Sequence, residues 1–461
     1  MTSRRRRVTV VATAVALLSG GAAGYLTVEA RPTADPTFAR PAVAVLSPRR
    51  APDALRSLIA GTRLSTRVNA LMRNLSATSC LVVRADDAPV FSLRPDQPLT
   101  PASSLKLTTA AAFLAKAGGK GHFATTFNGR KPDASGIVQG DVTLVGGGDP
   151  LVATSGYVLT RKHPPKPATD ISQFVDALRR AGVKHITGAL DVYDGAFDNE
   201  RRVPSWSAGY TATGDVGPIG ALVLDDGFSS YAPLVAAPDP AVAAGTAIRA
   251  ALVTAGIPVD GAVSRVAKAP AATAIATVES APYVDVVAEM LRESDNNTAE
   301  ALLKEMARRA SGAPGTRAAG TAARLAALRT LGIEPSGVQA IDGSGLDRSD
   351  KATCSALLAT LTTRPGGYDL EQMLAVAGQT GTLDDRFTTS PLSGKLRAKT
   401  GSLDGVTALV GVADPDAPTK LRFAFVSNGA FSDAGGKALQ DRLVAALSTY
   451  PDAPAAEDLA P

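Results

Sequence analysis

The 461-residue sequence has few of the residues on which many enzyme classes depend. Its only histidines are His122, His163 and His185, and no G-x-S-x-G motif lies near them, which argues against a Ser-His-Asp triad. Its only cysteines are Cys80 and Cys354, which form no C-x-x-C pattern. With no zinc-type cluster of cysteines and histidines, the sequence offers no metal site.

Aromatic residues make up 5% of the chain, and Trp206 is the single tryptophan. The formal net charge is +5, and four of these charges belong to Arg4, Arg5, Arg6 and Arg7, which leaves the rest of the chain near neutral. No later segment combines clustered basic residues with interleaved aromatics, so the sequence does not favour nucleic-acid binding.

The two cysteines lie in segments of different type. Cys80 belongs to a strand-like run at 80–83, and Cys354 belongs to a helix-like segment at 352–361. Since two thiols are too few for a disulfide framework, we expect both to be buried, unpaired, small hydrophobic residues. A single bridge is the alternative, and it requires Cα atoms within about 7 Å of each other.

The N-terminus has the composition of an export signal. The four arginines are followed by an uncharged, mostly apolar run at 8–28, long enough to span a bilayer as a helix. We expect a signal peptide or membrane anchor at 1–30 and favour an uncleaved anchor, with a proline-rich tether at 31–53. The folded part is therefore expected outside the cytoplasm, in the periplasm or cell-wall space.

The rest of the chain predicts an α+β fold with an inserted domain. Hydrophobic spacing predicts a hairpin from strands at 80–84 and 89–93, strands at 396–399, 406–412 and 421–427, and a closing helix at 437–447. Short strand-like runs at 136–145, 188–193 and 221–224 surround helices at 171–181 and 241–255. We therefore expect a discontinuous domain at 54–135 and 270–448, an inserted α+β domain at 136–269, and a disordered tail at 449–461.

The first chemical motif is Ser103-Ser104-Leu105-Lys106. We predict a helix start here, with Thr100 as the cap and Pro101 in the first turn. A spacing of three residues then places Ser103 and Lys106 on one helix face. A serine hydroxyl becomes a useful nucleophile only when a neighbouring base takes its proton, and Lys106 can be that base if burial lowers its pKa.

The other two motifs are Ser294-Asp295-Asn296, at a junction between two helices, and Lys399-Thr400-Gly401, in a strand. Two lysines in one apolar cleft destabilise each other's charge, so one of them can be neutral. Ser294 can relay a proton to the leaving amine, and Asn296 can hold Lys106 and the substrate amide.

The third motif also predicts substrate contacts. The backbone N–H groups of Ser103 and Ser402 are candidate donors for an oxyanion hole. Gly401 lets a substrate lie close to the strand, and Lys399 with the hydroxyls of Thr400 and Ser402 can bind a terminal carboxylate. Taken singly, each motif is an ordinary helix cap, turn or strand end; in this order the three supply complementary catalytic roles.

The ordered motifs resemble those of the low-molecular-mass class C penicillin-binding proteins, in the D-alanyl-D-alanine carboxypeptidase/endopeptidase group of peptidase family S13. The resemblance covers about 100–428 and includes the stretches 145–150, 290–296, 342–346 with Arg348, 381–383 and 399–405. It departs from the family pattern at Asp347, where a serine is expected. The resemblance implies a transpeptidase-type antiparallel sheet flanked by helices, with an inserted, β-rich domain.

By this resemblance Ser103 is the acyl-enzyme nucleophile, Lys106 the general base, Ser294 and Asn296 the second-motif pair, and Lys399 the third-motif lysine. The implied function is a serine-type carboxypeptidase that removes the terminal D-Ala of peptidoglycan stem peptides, with endopeptidase activity on cross-links as an extension. β-Lactams are the implied covalent inhibitors, and no cofactor or metal is implied. The alternatives are a β-lactamase or esterase on the same scaffold and a catalytically silent wall-binding protein.

Overall fold

The computed structural model describes residues 52–160, 167–271, 273–415, 419–455 and 457–459. The predicted signal or anchor segment and nearly all of the predicted tether lie outside these residues. The chain divides into two units, 56–453 and the two ends at 1–55 and 454–461, and the architecture below belongs to the first unit. Within the described ranges no helix has both the length and the apolar character needed to cross a membrane.

Nineteen strands are found in the described residues. They are β1 (Ser79–Ala85), β2 (Ala88–Leu93), β3 (Ala124–Asn128), β4 (Ile137–Val138), β5 (Val142–Val145), β6 (Val152–Ala153), β7 (Thr169–Asp170), β8 (His185–Ile186), β9 (Leu190–Tyr193), β10 (Phe228–Tyr231), β11 (Leu234–Ala236), β12 (Val263–Arg265), β13 (Ala274–Glu279), β14 (Val338–Gln339), β15 (Lys351–Ala352), β16 (Ala375–Val376), β17 (Leu396–Leu403), β18 (Val406–Ala413) and β19 (Leu421–Asn428).

The α-helices are α1 (Pro52–Met72), α2 (Lys106–Ala117), α3 (Ser155–Val158), α4 (Ser172–Arg180), α5 (Gly209–Ala212), α6 (Pro240–Thr254), α7 (Tyr283–Glu293), α8 (Asn296–Ser311), α9 (Arg317–Thr330), α10 (Cys354–Thr362) and α11 (Asp433–Leu447). Short 3-10 helices occupy Ala102–Leu105, Asp225–Gly227, Pro335–Gly337, Pro365–Gly367, Leu370–Met373, Gly381–Leu383 and Glu457–Leu459.

The main sheet has six strands in the order β16-β17-β18-β19-β1-β2, and every neighbouring pair is antiparallel. Alternate residues of a strand point to opposite faces. Val410 and Val426 therefore pack against α2, α7, α8 and α10 on one face. Phe423 and Phe425 pack against α1 and α11 on the other. This mixed fold, an antiparallel sheet between helices, confirms the fold class predicted from the sequence.

The second sheet has five strands in the order β12-β9-β5-β3-β13, and α4 and α6 pack with it around one apolar core. This sheet extends beyond 136–269, because β3 and β13 pair with each other and β3 pairs with β5. The sheet thus includes two strands from outside the range 136–269 that the sequence predicts for the inserted domain, and those domain boundaries stay a proposal. The strand predicted at 221–224 is wrong: only Leu222 makes a bridge, to Asp149. This segment is buried as a loop.

The expectation of unpaired cysteines is also wrong. Cys80 in β1 and Cys354 at the start of α10 form a disulfide across 274 residues, with Cα atoms 6.1 Å apart. Both residues are fully buried, as expected of small hydrophobic side chains. The bond joins the sheet to the helix that covers it, and that meeting of distant segments could not be predicted from cysteine spacing.

The predicted disordered tail is ordered at its start. The Tyr450 side chain is buried in the core between the main sheet, α1 and α11. Asp452 accepts hydrogen bonds from Arg63 at 2.6 Å and from Arg67 at 2.7 Å. These contacts fix the segment that follows α11 to the first helix.

Candidate active site

Ser103 lies in the 3-10 helix Ala102–Leu105, which runs directly into α2. The predicted helix start is confirmed, but Thr100 is not its cap: the Thr100 hydroxyl donates to the Arg348 carbonyl at 3.1 Å, and Pro101 precedes the 3-10 turn. No side chain caps this 3-10 turn. It leaves Ser103 at the mouth of a cavity, one turn before Lys106.

Lys106 is completely buried and makes three hydrogen bonds. Its Nζ donates to the Ser103 hydroxyl at 3.0 Å, to the Asn296 side-chain oxygen at 2.6 Å and to the Ser344 carbonyl at 2.7 Å. The Lys106 amine is thus held by three hydrogen bonds, one of which is to the Ser103 hydroxyl oxygen.

The second motif lies in a tight junction between α7 and α8. Ser294 has a left-handed backbone, with φ of 64°, and this ends α7. Asp295 then caps α8 by accepting a hydrogen bond from the Thr298 N–H at 2.9 Å. The reversal turns Ser294 and Asn296 towards Lys399 and Lys106, respectively, which confirms the predicted position between two helices.

Lys399 on β17 is also completely buried. Its Nζ donates to the Ser294 hydroxyl at 2.8 Å and to the Thr400 carbonyl at 2.9 Å. The Thr400 hydroxyl lies 3.0 Å from that of Thr382. The third motif therefore meets the second in the same way as the first does, through one amine and one polar side chain.

Gly401 is required by a close approach between β17 and the turn that holds Ser103. A Cβ atom at this position would lie 2.7 Å from the Pro101 carbonyl oxygen and 3.1 Å from the Ser104 nitrogen. Real Cβ atoms essentially never show a distance as short as the first of these. Any side chain here would push the strand away from the serine.

Burial is the main cause of unusual pKa values at both amines. It lowers the pKa of Lys106 to about 8, against the opposing charges of Asp342, Glu300 and Asp295. It holds the pKa of Lys399 well below its usual value, and the charge of Lys106 lowers it further. At pH 7 roughly one Lys106 in ten is then neutral and able to accept a proton.

The motifs open on a cavity of about 930 Å³. Ser103, Ser294, Asn296, Thr400 and Ser402 line it on the side of the main sheet. Its other wall comes from residues that precede α7, among them Tyr157, Tyr210, Asp215 and Asp226. The cavity is large enough for a peptide and polar enough to bind one.

The structure brings together the predicted residues from all three motifs. Hydrogen bonds join Ser103, Lys106 and Asn296 in one group and Ser294 with Lys399 in a second. Thr400 and Ser402 stand at the edge of the cavity, and the Ser402 side chain is exposed.

Sequence reasoning missed several groups that surround these residues. The Ser344 carbonyl accepts from Lys106, and the Asp215 carbonyl accepts from the Asn296 amide at 2.6 Å. Glu300 accepts hydrogen bonds from the N–H groups of Gly343 and Ser344. The stretch 342–346 was recognised only as similar to the family, because a backbone acceptor carries no signal in the sequence.

Trp206 holds the segment 203–219 against this stretch. The Trp206 indole N–H donates to the Asp342 carboxylate at 2.8 Å, and the ring packs with Val216, Ile219 and Leu346. The cavity wall that Tyr210 and Asp215 provide is therefore fixed to the loop that contacts Lys106.

The described histidines have partners outside the cavity. His122 contacts the Ser280 carbonyl at 2.8 Å, and His185 contacts the Asp260 carboxylate at 2.9 Å. His163 lies outside the described residues. Across the described part of the chain, no group of three or more histidine, cysteine, aspartate or glutamate side chains is arranged to hold a metal ion.

Comparison with known proteins gave concordant matches. A profile of the D-Ala-D-Ala carboxypeptidase 3 (S13) family matches residues 65–232 and 229–450. A carboxypeptidase of Mycobacterium tuberculosis is 34% identical over 350 residues, which cover 73% of this chain and 72% of that protein. A D-alanyl-D-alanine carboxypeptidase of an Actinomadura species is 28% identical over 443 residues, covering 78% of this chain and 79% of the relative.

The fold is similar to that of penicillin binding protein 4 from Haemophilus influenzae. The TM-score is 0.69 at 21% identity, and the match covers 82% of this chain and 98% of the solved one.

Proposed function

Because the chain belongs to the D-Ala-D-Ala carboxypeptidase 3 (S13) family, we propose that it is a serine-type D-Ala-D-Ala carboxypeptidase that hydrolyses peptidoglycan stem peptides. The observation that carries the proposal is the pair of buried amines, each bonded to a serine: Lys106 to Ser103 at 3.0 Å and Lys399 to Ser294 at 2.8 Å. That arrangement supplies a nucleophile, its base and a proton relay without any histidine.

Acylation begins at Ser103. The neutral form of Lys106 takes the hydroxyl proton while the serine oxygen attacks the carbonyl carbon of the penultimate D-Ala. The backbone N–H groups of Ser103 and Ser402 are the proposed donors to the oxygen that becomes negative. The C–N bond then breaks, and the proton that Lys106 took from Ser103 passes through Ser294 to the leaving D-Ala amine. Lys106 is neutral again, and an ester on Ser103 remains.

Deacylation returns the enzyme to its starting state. A water gives its proton to the same base, and its oxygen attacks the ester carbonyl. The ester bond breaks, the shortened peptide leaves with a new carboxyl group, and Ser103 recovers its proton. The proposed binding site for the terminal carboxylate of the substrate consists of the Thr400 and Ser402 hydroxyls, with the buried Lys399 next to Thr400. Thr400 and Ser402 line the cavity, which supports this proposal.

Endopeptidase activity on cross-linked peptides is the second candidate. The cavity continues past the serine to Tyr157, Tyr210 and Asp226, which leaves room for more than one terminal D-Ala. The chemistry is unchanged, because only the leaving amine differs. Mass spectrometry of muropeptides after incubation with the purified protein separates the two activities, since one shortens stem peptides and the other separates cross-linked pairs.

A substrate in the cell wall implies a location outside the cytoplasm. We propose in addition that the segment 1–30 keeps the protein at the membrane, which the four arginines and the uncharged run after them support. Fractionation of cells that produce the full chain tests this: an anchored protein sediments with membranes, and a cleaved one is released with a new N-terminus.

The decisive test of the chemistry is Ser103→Ala. It should abolish both the release of D-Ala and covalent labelling by a fluorescent penicillin, because the proposed ester forms on the Ser103 oxygen. Ser104→Ala is the matched control: the Ser104 hydroxyl donates to the Pro101 carbonyl at 2.7 Å, so its loss leaves labelling in place. Labelling of Ser103→Ala would refute the assignment.

The same gel separates the alternatives. A long-lived adduct indicates a penicillin-sensitive peptidase, a rapidly lost adduct indicates a β-lactamase or esterase, and the absence of any adduct on the unmodified protein indicates a silent wall-binding protein.

A further inference from the structure

One buried carboxylate beside the site has no place in the mechanism above. Glu300 lies one helical turn after Asn296 on α8, so the two side chains share a face of that helix. Glu300 is 1% exposed. Its Oε1 accepts hydrogen bonds from two consecutive backbone N–H groups, Gly343 at 2.9 Å and Ser344 at 2.8 Å.

These two bonds end close to the catalytic amine. The carbonyl of the same Ser344 accepts the hydrogen bond from Lys106 Nζ at 2.7 Å. The loop that contains Gly343 and Ser344 packs closely against α8, because a Cβ added to Gly343 would lie 2.6 Å from the Ala299 carbonyl oxygen. Helix α8 is therefore connected to Lys106 in two ways: Asn296 accepts a hydrogen bond from it directly, and Glu300 binds the Ser344 peptide, whose carbonyl accepts another.

We propose that Glu300 is a positioning residue for acyl transfer: it fixes the Ser344 carbonyl that holds Lys106, and its negative charge helps to set the protonation state of that amine. The proposal rests on the proposed function, because it concerns the base of the same reaction. It assigns Glu300 no contact with substrate.

The surrounding charges determine the sign of the effect. Glu300 faces Lys106, Asp342, Arg317 and Arg324. Lys106 faces Asp342, Glu300, Asp295 and Lys399. Burial, and then the charge of Asp342, raise the pKa of Glu300 to about 7. Near pH 8, where Lys106 titrates, Glu300 is largely ionised and favours the charged form of the amine.

The test is Glu300→Gln in the full chain, which keeps an acceptor oxygen for the two N–H groups and removes the charge. The measurement is the rate of covalent labelling by a fluorescent penicillin between pH 6 and pH 10. The alkaline rise of that rate reports the loss of the proton from Lys106. We expect the rise to move to lower pH by about one unit in the variant, because an opposing charge has been taken from the lysine.

Two further variants separate the effect of the Glu300 charge from that of its hydrogen bonds to the loop. Glu300→Asp keeps the charge but draws the carboxylate back from the loop, so we expect the rise at nearly the pH of the unmodified protein and a lower plateau rate. Glu305→Gln is the matched control, since Glu305 is a buried carboxylate on the same helix that pairs with Arg308 and Arg309. It should leave the pH profile unchanged.

A lower plateau with an unmoved rise in Glu300→Gln would overturn the proposal, because a residue with only a structural role would give that result. If thermal unfolding shows that Glu300→Gln does not fold, Glu300→Asp decides: a plateau equal to that of the unmodified protein would overturn the proposal. Failure of the unmodified protein to label would instead count against the proposed function.

Discussion

Replacing Asn296 with aspartate gives the sharpest test of Lys106 as the base. The change is nearly isosteric and puts a carboxylate oxygen where the amide oxygen now lies, 2.6 Å from Lys106 Nζ. At an effective dielectric constant of about 20, a unit negative charge at that distance stabilises the ammonium by about 6 kcal/mol before any loss to desolvation or relaxation. Even a third of this, about 2 kcal/mol, raises the pKa of Lys106 by about 1.5 units.

The consequence for the rate follows from the fraction of neutral amine. With a pKa of about 8, Lys106 is neutral in roughly one molecule in ten at pH 7. After a rise of about 1.5 units the neutral fraction falls to about one in three hundred. Labelling by a fluorescent penicillin should therefore be at least about thirty-fold slower at pH 7 and should recover only above about pH 9.

Asn296→Ala provides the opposite perturbation at the same position. It removes the amide oxygen that accepts from Lys106 and adds no charge, so burial acts with less opposition and the alkaline rise should move to lower pH. The plateau rate should also fall, because the amine loses one of its three hydrogen bonds. A shift of both variants in the same direction, or an unmoved rise in Asn296→Asp, would show that Lys106 is not the titrating base.

Two other predictions test contacts that support the site. Gly401→Ala should remove most penicillin labelling and D-Ala release, because the added Cβ would lie 2.7 Å from the Pro101 carbonyl oxygen. Circular dichroism should show that the variant remains folded. Activity equal to that of the unmodified protein would show that the turn and the strand can separate at no cost. Replacing Cys80 and Cys354 together with alanine should lower the free energy of unfolding, measured in denaturant, by up to about 5 to 6 kcal/mol. This is the loop-closure entropy expected for a bond that spans 274 residues. An unchanged unfolding midpoint would contradict a bond that restrains the unfolded chain.

The parts of the molecule that could be predicted from sequence have local causes. Strands β17, β18 and β19 follow from alternating or continuous apolar runs, and α4, α6 and α11 follow from apolar spacing in the helices predicted at 171–181, 241–255 and 437–447. The order of the three motifs indicated that Lys106 and Lys399 would share one site with Ser103 and Ser294, because acyl transfer needs each of these groups. It did not indicate that Lys399 bonds to Ser294.

The errors occur where distant segments decide the outcome. The segment 221–224 has a strand-like composition, yet it is buried as a loop. Leu222 and Leu224 pack in the core around α4 and α6, whereas Ala221 packs against Phe197 and Ala301. Tyr450 is ordered because α1 and the main sheet provide a core for its ring. Ser344 and Asp215 contribute through carbonyl oxygens, which every residue carries, so their sequence positions could not indicate a role.

The two active-site amines show why similar burial does not give them similar roles. Both are completely enclosed, and burial is the largest influence on both. Three carboxylates, Asp342, Glu300 and Asp295, oppose it at Lys106. At Lys399 only Glu293 opposes it, and the charge of Lys106 acts with burial. The neighbours of the two amines therefore differ: carboxylates favour the charged form of Lys106, whereas the charge of Lys106 adds to burial in lowering the pKa of Lys399. Because a base must be neutral before it can act, the rate of acyl transfer should rise with pH up to the titration of Lys106, and the carboxylates around that lysine set where the rise occurs.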